Sequence, residues 1–294
     1  MAKPAILTRL DPGYPSRLRH LRDAPASLSV CGGALEATCT VAIIGARHAD
    51  PAAAKFSHEL AQSIARAGAV VVSGGALGID AAAHRGALEA NGRTWVVAGT
   101  GHAHCYPPEH DRLFETIARG PGAMVWPFGA NHRHRSAFRI RNRVLAALAD
   151  AVIVIQAGAQ SGALHTSAWA RRLAKPLWVV PAAPWAGDDF AGSRKLLDEG
   201  VRPLASVERL LSVLPLAAEV AQARTTEPPL NFESSIYINI LRSMSKVPLH
   251  IDEIAARVDS PVKAIAAALL TLALENVVVE GPPGFFRRLN TGNH

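Results

Sequence analysis

Uninterrupted apolar runs recur along the first two thirds of the chain and alternate with segments of helical periodicity. The runs occupy residues 41–45, 69–73, 94–98, 123–126, 151–155 and 177–180. Because they lack in–out alternation, they predict strands that are buried on both faces, as in a parallel sheet covered by helices. Segments such as 52–66 space their apolar residues three and four positions apart, which predicts the covering helices. The pattern therefore indicates an α/β fold.

The two ends of the chain follow other patterns. Residues 1–40 are rich in proline and arginine and weakly periodic, so we expect this lead segment to cover one edge of the domain. Residues 217–231 predict a linker, which separates a domain at 1–216 from one at 232–294. Three helical segments and a hairpin between 232 and 294 are typical of a winged helix.

The predicted recognition helix of this tail carries one cation, Lys263. A helix that reads a DNA groove usually presents several cationic or amide side chains. A protein-contact or structural role is therefore favoured for the tail. Arg287 and Arg288 in the hairpin keep a DNA contact possible.

A basic run lies between the fourth and fifth apolar strands, at residues 131–143. Asp150 is the only carboxylate between residues 116 and 187. A basic run is often no more than a solvated surface. Here it falls in a loop and the first turns of a helix, where α/β proteins build binding sites. Guanidinium groups suit phosphate oxygens, and an aromatic ring can stack on a base. The candidate contacts are Phe138, Arg139, Arg141, Asn142 and Arg143.

Glycine turns follow several of the predicted strands. Parallel strands with right-handed crossovers place these loops along one edge of the sheet. Glycine lets backbone amides approach phosphate closely, and a helix N-terminus adds partial positive charge. The candidate contacts in these loops are Gly45, Arg47, Ser73, Gly74, Gly75, Gly78, Ser161 and Gly162.

Several kinds of chemistry lack a motif in this chain. No G-x-G-x-x-G and no G-x-x-x-x-G-K-[ST] occurs, so we expect neither a dinucleotide cofactor nor P-loop ATP hydrolysis. The group His102, His104, Cys105 and His110 fits no standard zinc spacing, so no metal is expected either. Asp80 and His84 are one helical turn apart and could act in acid–base chemistry, but capping and core hydrogen bonding are favoured.

Composition narrows the class of partner. The net charge is +7 and the pI is about 9.8, which favours a polyanionic partner. By itself this charge does not separate nucleic acid from an anionic membrane surface. No apolar run is long enough to span a bilayer. We expect a nucleic acid and no membrane partner. Three cysteines without Cys-x-x-Cys spacing indicate free thiols in a reducing cytoplasm.

Five linked motifs resemble the DNA-processing protein A family, known as DprA or Smf. They are Ile44-Gly-Ala-Arg47, Ser73-Gly-Gly-Ala-Leu-Gly-Ile-Asp80 with Ala83-His-Arg-Gly-Ala-Leu88, Tyr106-Pro-Pro108, Phe138-Arg-Ile-Arg-Asn-Arg143 and Ser161-Gly-Ala-Leu-His-Thr166. Their order matches from about Tyr14 to Val201, and the tail is similar to the family's winged helix. Ala46 and Arg139 depart from the usual serine and proline.

The resemblance implies an extended Rossmann-like domain followed by a small winged helix. It also implies a cytoplasmic homodimer that binds single-stranded DNA and assists loading of RecA recombinase during natural transformation, with no established enzyme activity. By motif, Arg47 matches the arginine of the family's Gly-Ser-Arg loop. Phe138, Arg141 and Arg143 match its Phe-Pro-x-Arg-Asn-Arg segment.

Two other functions remain open from the sequence. Related Rossmann-like folds include nucleoside-monophosphate phosphoribohydrolases, for which Asp80 and His84 would be the catalytic candidates, although the P-G-G-x-G-T-x-x-E run is missing. Alternatively, the chain is a scaffold in which the winged helix recruits a partner and DNA binding is incidental.

Overall fold

A computed structural model describes residues 3–134, 136–183, 185–216, 235–244, 247–274 and 277–288. Contacts between Cα atoms divide the chain into two compact units, Met1–Arg224 and Thr225–His294. The linker predicted at 217–231 lies outside the described residues.

The first unit is built on one large sheet. Its described strands are β1 (Ala5–Thr8), β2 (Ser27–Gly32), β3 (Thr40–Ile44), β4 (Val70–Ser73), β5 (Thr94–Val97), β6 (Ala123–Trp126), β7 (Ala151–Val154), β8 (Leu177–Val179) and β9 (Arg202–Pro203). Their order is β1-β2-β6-β5-β4-β3-β7-β8-β9. The strands from β6 to β9 run parallel, whereas β1 and β2 are antiparallel additions at one side. The predicted parallel α/β sheet is confirmed.

Helices cover both faces of this sheet. They are α1 (Ser16–Arg19), α2 (Pro51–Arg66), α3 (Ile79–Glu89), α4 (Asp111–Arg119), α5 (Ala137–Leu148), α6 (Gly162–Arg172), α7 (Ala191–Asp198) and α8 (Val207–Ser212). Strand β3 shows why its residues are apolar without alternation. Ala42 and Ile44 belong to the core beneath α5 and α6, whereas Val41 and Ile43 belong to the core beneath α2 and α3. Each face of the strand is therefore buried.

The order of the strands creates a crevice at one point of the sheet. Strand β4 lies on one side of β3 and β7 lies on the other. The loops that follow β3 and β7 therefore diverge into crossovers on opposite faces. In an open α/β sheet, this divergence at the carboxyl ends of the strands is where ligands bind.

The lead segment does more than cover an edge. It supplies β1 and β2, and its Tyr14, Leu18 and Leu28 are buried in the core that α5 and α6 share. Sequence reasoning missed β1 because its residues are mostly exposed and show no core pattern. The segment is therefore part of the sheet.

One ion pair holds α1 to the start of β7. The Asp150 carboxylate accepts hydrogen bonds from Arg17 Nη2 at 2.7 Å and from the Thr40 amide at 2.9 Å. Partial burial alone would raise the pKa of Asp150, but the bonds from Arg17 and Thr40 hold the pKa below its ordinary value of 3.8. The ionised carboxylate therefore stabilises the folded state.

The second unit has its own core. It contains α9 (Ser235–Ser243), α10 (Ile251–Val258), α11 (Val262–Leu274) and the strands β10 (Leu249–His250), β11 (Val278–Glu280) and β12 (Phe285–Arg288). Ile240, Ile254, Ile265 and Leu269 pack together between the helices. Strands β11 and β12 form the predicted hairpin, and β10 adds a third strand beside β12. The predicted winged helix is confirmed in its helices and its hairpin.

Two further expectations concern surfaces of the chain. The Lys263 side chain is not among those that the structure describes. Arg287 and Arg288 are exposed on β12. Among the described residues, none of the helices combines the length and apolar character needed to cross a bilayer.

We expect Asp150→Asn to lower the free energy of unfolding by about 1–3 kcal/mol at neutral pH, because the Arg17 guanidinium loses its ionised partner. A carboxyl group whose folded pKa is depressed stabilises above its ordinary pKa, and this contribution is lost as the pH falls through the lower folded value. The difference between variant and wild type should therefore shrink below about pH 4 in urea unfolding, as expected from a depressed carboxyl pKa. Glu115→Gln, which breaks an exposed pair with Arg119, serves as the control with little effect. An equal deficit at pH 7 and pH 3 would contradict the ion-pair explanation.

Candidate nucleic-acid interface

A pocket of about 480 Å³ opens at the crevice between the carboxyl ends of β3 and β7. Its walls come from the loop after β3, the loop after β7, the start of α6 and one side of α5. Gly45, Arg47, Phe138, Arg141, Asn142, Ser161 and Gly162 from the predicted set all line it. The structure therefore brings together residues that are up to about 115 positions apart in the sequence, as expected of a site at a switch point of the sheet.

The first turn of α6 faces this pocket. Ser161 precedes the helix, and its hydroxyl accepts a hydrogen bond from the Ala163 amide at 3.3 Å. Gly162 is exposed, and a Cβ placed on it would meet no atom within 4 Å. The Asn142 side-chain amide donates to the Gly162 carbonyl at 3.3 Å and fixes the turn against α5. An open helix N-terminus of this kind favours an anionic group.

Arg47 stands at the mouth of the pocket on an exposed loop. Asp50 ends this loop and caps α2, because its carboxylate accepts from the Ala52 amide at 2.8 Å. The Asp50 amide in turn donates to Gln156 Oε1 at 2.8 Å, which ties the β3 loop to the β7 loop. The loop is therefore fixed at its far end, while the Arg47 side chain remains exposed to solvent.

Phe138 forms the centre of a small aromatic and cationic cluster. The Arg47 guanidinium carbon lies 5.7 Å from the centroid of the Phe138 ring, and the Tyr106 ring packs edge-on at 5.6 Å. Gly99 lies directly against the ring, since a Cβ at that position would come within 2.4 Å of it. Phe138 is thereby held in one place with part of its ring exposed.

A second pocket, of about 450 Å³, continues from Phe138 along the same edge of the sheet. Its lining includes Tyr106, Arg133 and His134 as well as Phe138. Sequence reasoning did not place Tyr106 or Arg133 among the contacts. Both could have been found from the sequence, because Tyr106 follows β5 and Arg133 follows β6, at the same edge of the sheet as the predicted residues.

Arg141 is not the exposed side chain that the sequence led us to expect. Arg141 is 6% exposed, and its Nη1 donates to the Val97 carbonyl at 2.9 Å. The guanidinium lies against Gly74, where any Cβ would clash with it. Burial lowers the pKa of Arg141 to about 10, although the nearby Asp80 carboxylate opposes that shift. Arg141 is therefore a buried cation that joins α5 to the ends of β4 and β5.

Arg143 is also not free for a ligand. Its side chain is 17% exposed, and Nη1 pairs with Asp23 Oδ2 at 2.9 Å. The guanidinium also lies over the Trp169 ring, 5.7 Å from its centroid. Residues two apart on a helix differ by about 200° in direction, so Arg141 cannot share a face with Arg139 or with Arg143. Of these three, Arg139 alone is exposed.

The glycine loop after β4 binds a carboxylate of the chain itself. The amides of Gly74 and Ala76 donate to Asp80 Oδ2 at 3.1 and 3.3 Å. The Gly74 amide, which we expected to be offered to phosphate, is therefore occupied, and so is the Ala76 amide. Burial raises the pKa of Asp80, while Arg141 and the two amides oppose the shift.

The remaining predicted residues of this loop serve packing. Gly78 has φ of +75°, and a Cβ there would come within 2.4 Å of the Ala46 carbonyl oxygen. Gly75 is buried beside Phe114, and the Ser73 hydroxyl donates to the Ile43 carbonyl at 2.6 Å. Packing against β3 and its loop explains Ser73 and Gly78, and packing against Val96 and Phe114 explains Gly75.

The acid–base candidates do not form a pair at the pocket. His84 is fully buried, and its Nδ1 lies 2.7 Å from Thr94 Oγ1. Burial lowers the pKa of His84 to about 3, so the ring is neutral at physiological pH. Nearby, His110 Nδ1 bonds to the Gly75 carbonyl at 2.9 Å, and the described residues contain no group of three or more His, Cys, Asp or Glu placed to hold a metal ion.

Comparison with known proteins covers almost the whole chain. The family described as DNA recombination-mediator protein A matches residues 5–215, and the DprA winged helix domain matches residues 221–284. The chain is 29% identical to Protein Smf of Synechocystis over 325 residues, which covers 97% of this chain and 80% of that protein.

Solved structures of similar proteins share the fold. DNA processing protein A of Streptococcus pneumoniae superposes with a TM-score of 0.67 at 31% identity, over 72% of this chain and 75% of that one. DNA processing protein A of Helicobacter pylori, for which a single-stranded DNA binding mode is described, gives 0.64 at 29% identity, over 71% of this chain and 94% of that one.

We expect Arg141→Ala to lower the free energy of unfolding by about 2–4 kcal/mol, because it removes a buried hydrogen bond and the positive charge that favours the buried Asp80 carboxylate. Arg139→Ala is the control. Arg139 is exposed and lies two positions earlier in the same helix, so its loss should change stability by less than about 0.5 kcal/mol. Urea unfolding of the two variants provides the comparison. Equal stability of both variants would show that Arg141 has no structural role.

Proposed function

The chain belongs to the DNA recombination-mediator protein A family, and on this premise we propose that it binds single-stranded DNA along the carboxyl edge of its sheet. The observation that carries the proposal is the exposed Arg47 guanidinium over the partly exposed Phe138 ring, beside the open start of α6. An unpaired polynucleotide can use all three groups, because its phosphates bind cations and free helix amides and its bases stack on an aromatic face.

The contacts divide between the two parts of a nucleotide. Arg47 and the Gly162 amide would bind phosphate oxygens, because both are positive and open to the pocket. Phe138, held by Gly99 and Tyr106, would stack on a base. Exposed Arg139 and Arg133 would add phosphate contacts outside the first pocket.

Stacking on Phe138 explains why unpaired DNA should be preferred. The partly exposed ring lines the crevice, and a base can reach it after leaving its partner strand. The H. pylori relative at 29% identity, with its described single-stranded DNA binding mode, supports the same choice of ligand.

The finer roles of the protein follow from this binding. A protein that holds single-stranded DNA in a recombination pathway must pass it to a recombinase. We propose that the chain protects incoming DNA as a homodimer and assists RecA loading in natural transformation. The apolar α11 and the exposed residues Val262, Val247 and Phe285 favour a protein contact for the winged-helix unit.

A chain that ends at Leu216 should keep most of its affinity for single-stranded DNA and lose RecA loading, because the pockets lie in the first unit. Oligonucleotide titration and RecA filament assembly on coated DNA measure the two properties separately. A large loss of DNA affinity in the shortened chain would assign the DNA contact to the tail instead.

Replacement of Arg47 and Arg133 by alanine should weaken the binding of oligo-dT and flatten its salt dependence. The slope of log K against log salt should fall by roughly 0.7 for each lost phosphate contact on a single strand. Fluorescence anisotropy at four salt concentrations gives this slope.

The matched control is Arg66→Ala. Arg66 is exposed in the last turn of α2, at the opposite edge of the sheet, so its removal changes the net charge without touching the pockets. The control should keep the wild-type slope. If Arg66→Ala and the double variant lower the slope by the same amount per charge, binding is a general effect of net charge and the proposed site is incorrect.

A further inference from the structure

Trp185 is 87% exposed, which sets it apart from the other tryptophans. Trp95, Trp126 and Trp178 are buried in the core, and Trp169 is half-buried beneath arginine side chains. An indole ring offers a large apolar surface that folding normally buries at least in part. The exposure of this one ring therefore suggests a contact with something outside the chain.

Trp185 lies at the same edge of the sheet as the two pockets. It belongs to the loop that follows β8, and β8 runs parallel to β7 and β3. Asp189, from the same loop, forms part of the wall of the first pocket. The loop that carries Trp185 is thus a continuation of the proposed DNA-binding edge, on the side away from Phe138.

The loop is held in place around the tryptophan. Arg194 Nη1 donates to the Ala186 carbonyl at 2.7 Å, next to Trp185 in the chain. The Ala186 amide also donates to the Ala183 carbonyl at 2.9 Å. Further along, the Ser193 hydroxyl accepts from the Ala157 amide at 2.9 Å and joins the segment to the β7 loop. The ring is therefore presented from a supported turn.

The span of the edge suits several nucleotides. Phe138 packs on Gly99 after β5, and Trp185 follows β8, with β4, β3 and β7 between these two strands. Four strand spacings amount to about 19 Å. A single strand that stacks one base on Phe138 and passes Arg47 can reach Trp185 with a later base.

The charges near Trp185 decide which part of a nucleotide it would meet. Asp188 and Asp189 are exposed on its loop, and they repel phosphate from the side of the first pocket that Asp189 lines. A base carries no charge and stacks well on an indole face. The loop is therefore suited to a base and unsuited to the backbone.

We propose that Trp185 is a second base-stacking residue, which binds a base of single-stranded DNA at the β8 end of the site. This inference rests on the proposed function, because it requires the same strand to occupy the Arg47 and Phe138 pocket. None of the five motifs that resemble the family includes Trp185, so the residue was absent from the contacts expected from the sequence.

The test compares Trp185→Leu, Trp185→Phe and wild type in the full chain, by anisotropy with oligo-dT of increasing length. Loss of a stacked base costs a factor of about 5 to 150 in affinity. We expect that loss in Trp185→Leu, recovery of most of it in Trp185→Phe, and an unchanged salt slope in both. The loss should be seen with oligonucleotides that span the edge and disappear with ones too short to leave the first pocket.

Leu10→Ala is the matched control, since Leu10 is 93% exposed and follows β1, which is separated from β8 by six strands of the sheet. It should bind as wild type does. Thermal unfolding of all variants should coincide, because both side chains are exposed. Quenching of tryptophan fluorescence by oligo-dT should be present in wild type and largely lost in Trp185→Phe.

The outcomes separate the two proposals. If wild type fails to bind single-stranded DNA, the proposed function fails. If wild type binds and Trp185→Leu binds equally well at every length, the function stands and the inference about Trp185 is wrong. Weak binding by Trp185→Phe as well as Trp185→Leu would also overturn it, because a phenyl ring retains the capacity to stack.

Discussion

The buried guanidinium of Arg141 is the contact on which the candidate site depends. It reaches from α5 to the Val97 carbonyl at the end of β5 and lies against Gly74 at the end of β4. Asp80 holds the same turn by accepting hydrogen bonds from the Gly74 and Ala76 amides. A buried cation and a buried carboxylate in a low-dielectric interior tolerate little movement, because each loses its partner interactions if the other shifts. Three loops at the carboxyl edge are thereby fixed together.

This arrangement determines which groups are left for a ligand. Phe138 lies one helical turn before Arg141, so the side chain that anchors α5 also sets the direction of the ring. With Arg141 and Arg143 engaged inside the protein, the exposed positive groups at the crevice are Arg47 and the start of α6. The net charge of +7 attracts polyanions in general, whereas these few groups would decide where a strand lies.

The sequence predicted the architecture well and the site in part. Apolar runs such as β7 could be read directly, because a strand buried on both faces needs apolar residues throughout. Strand β1 could not be predicted in this way. It is held by its antiparallel pairing with β2, and most of its side chains lie in solvent, so it shows no apolar pattern. Basic composition pointed to the segment around α5, but the direction of each arginine depends on the phase of the helix and on partners distant in the sequence. Asp23 is 120 residues from Arg143, and no local pattern joins them.

The most direct test of the DNA-binding edge is amide hydrogen exchange of the intact protein with and without saturating oligo-dT. Slower exchange should appear in the loops that follow β3 and β7 and in the first turn of α6, because a bound strand would cover the Gly162 amide and its neighbours. Amides in the last turn of α2, at the opposite edge, should exchange at the same rate in both samples. Protection confined to the winged-helix unit, or to the opposite edge of the sheet, would contradict the account.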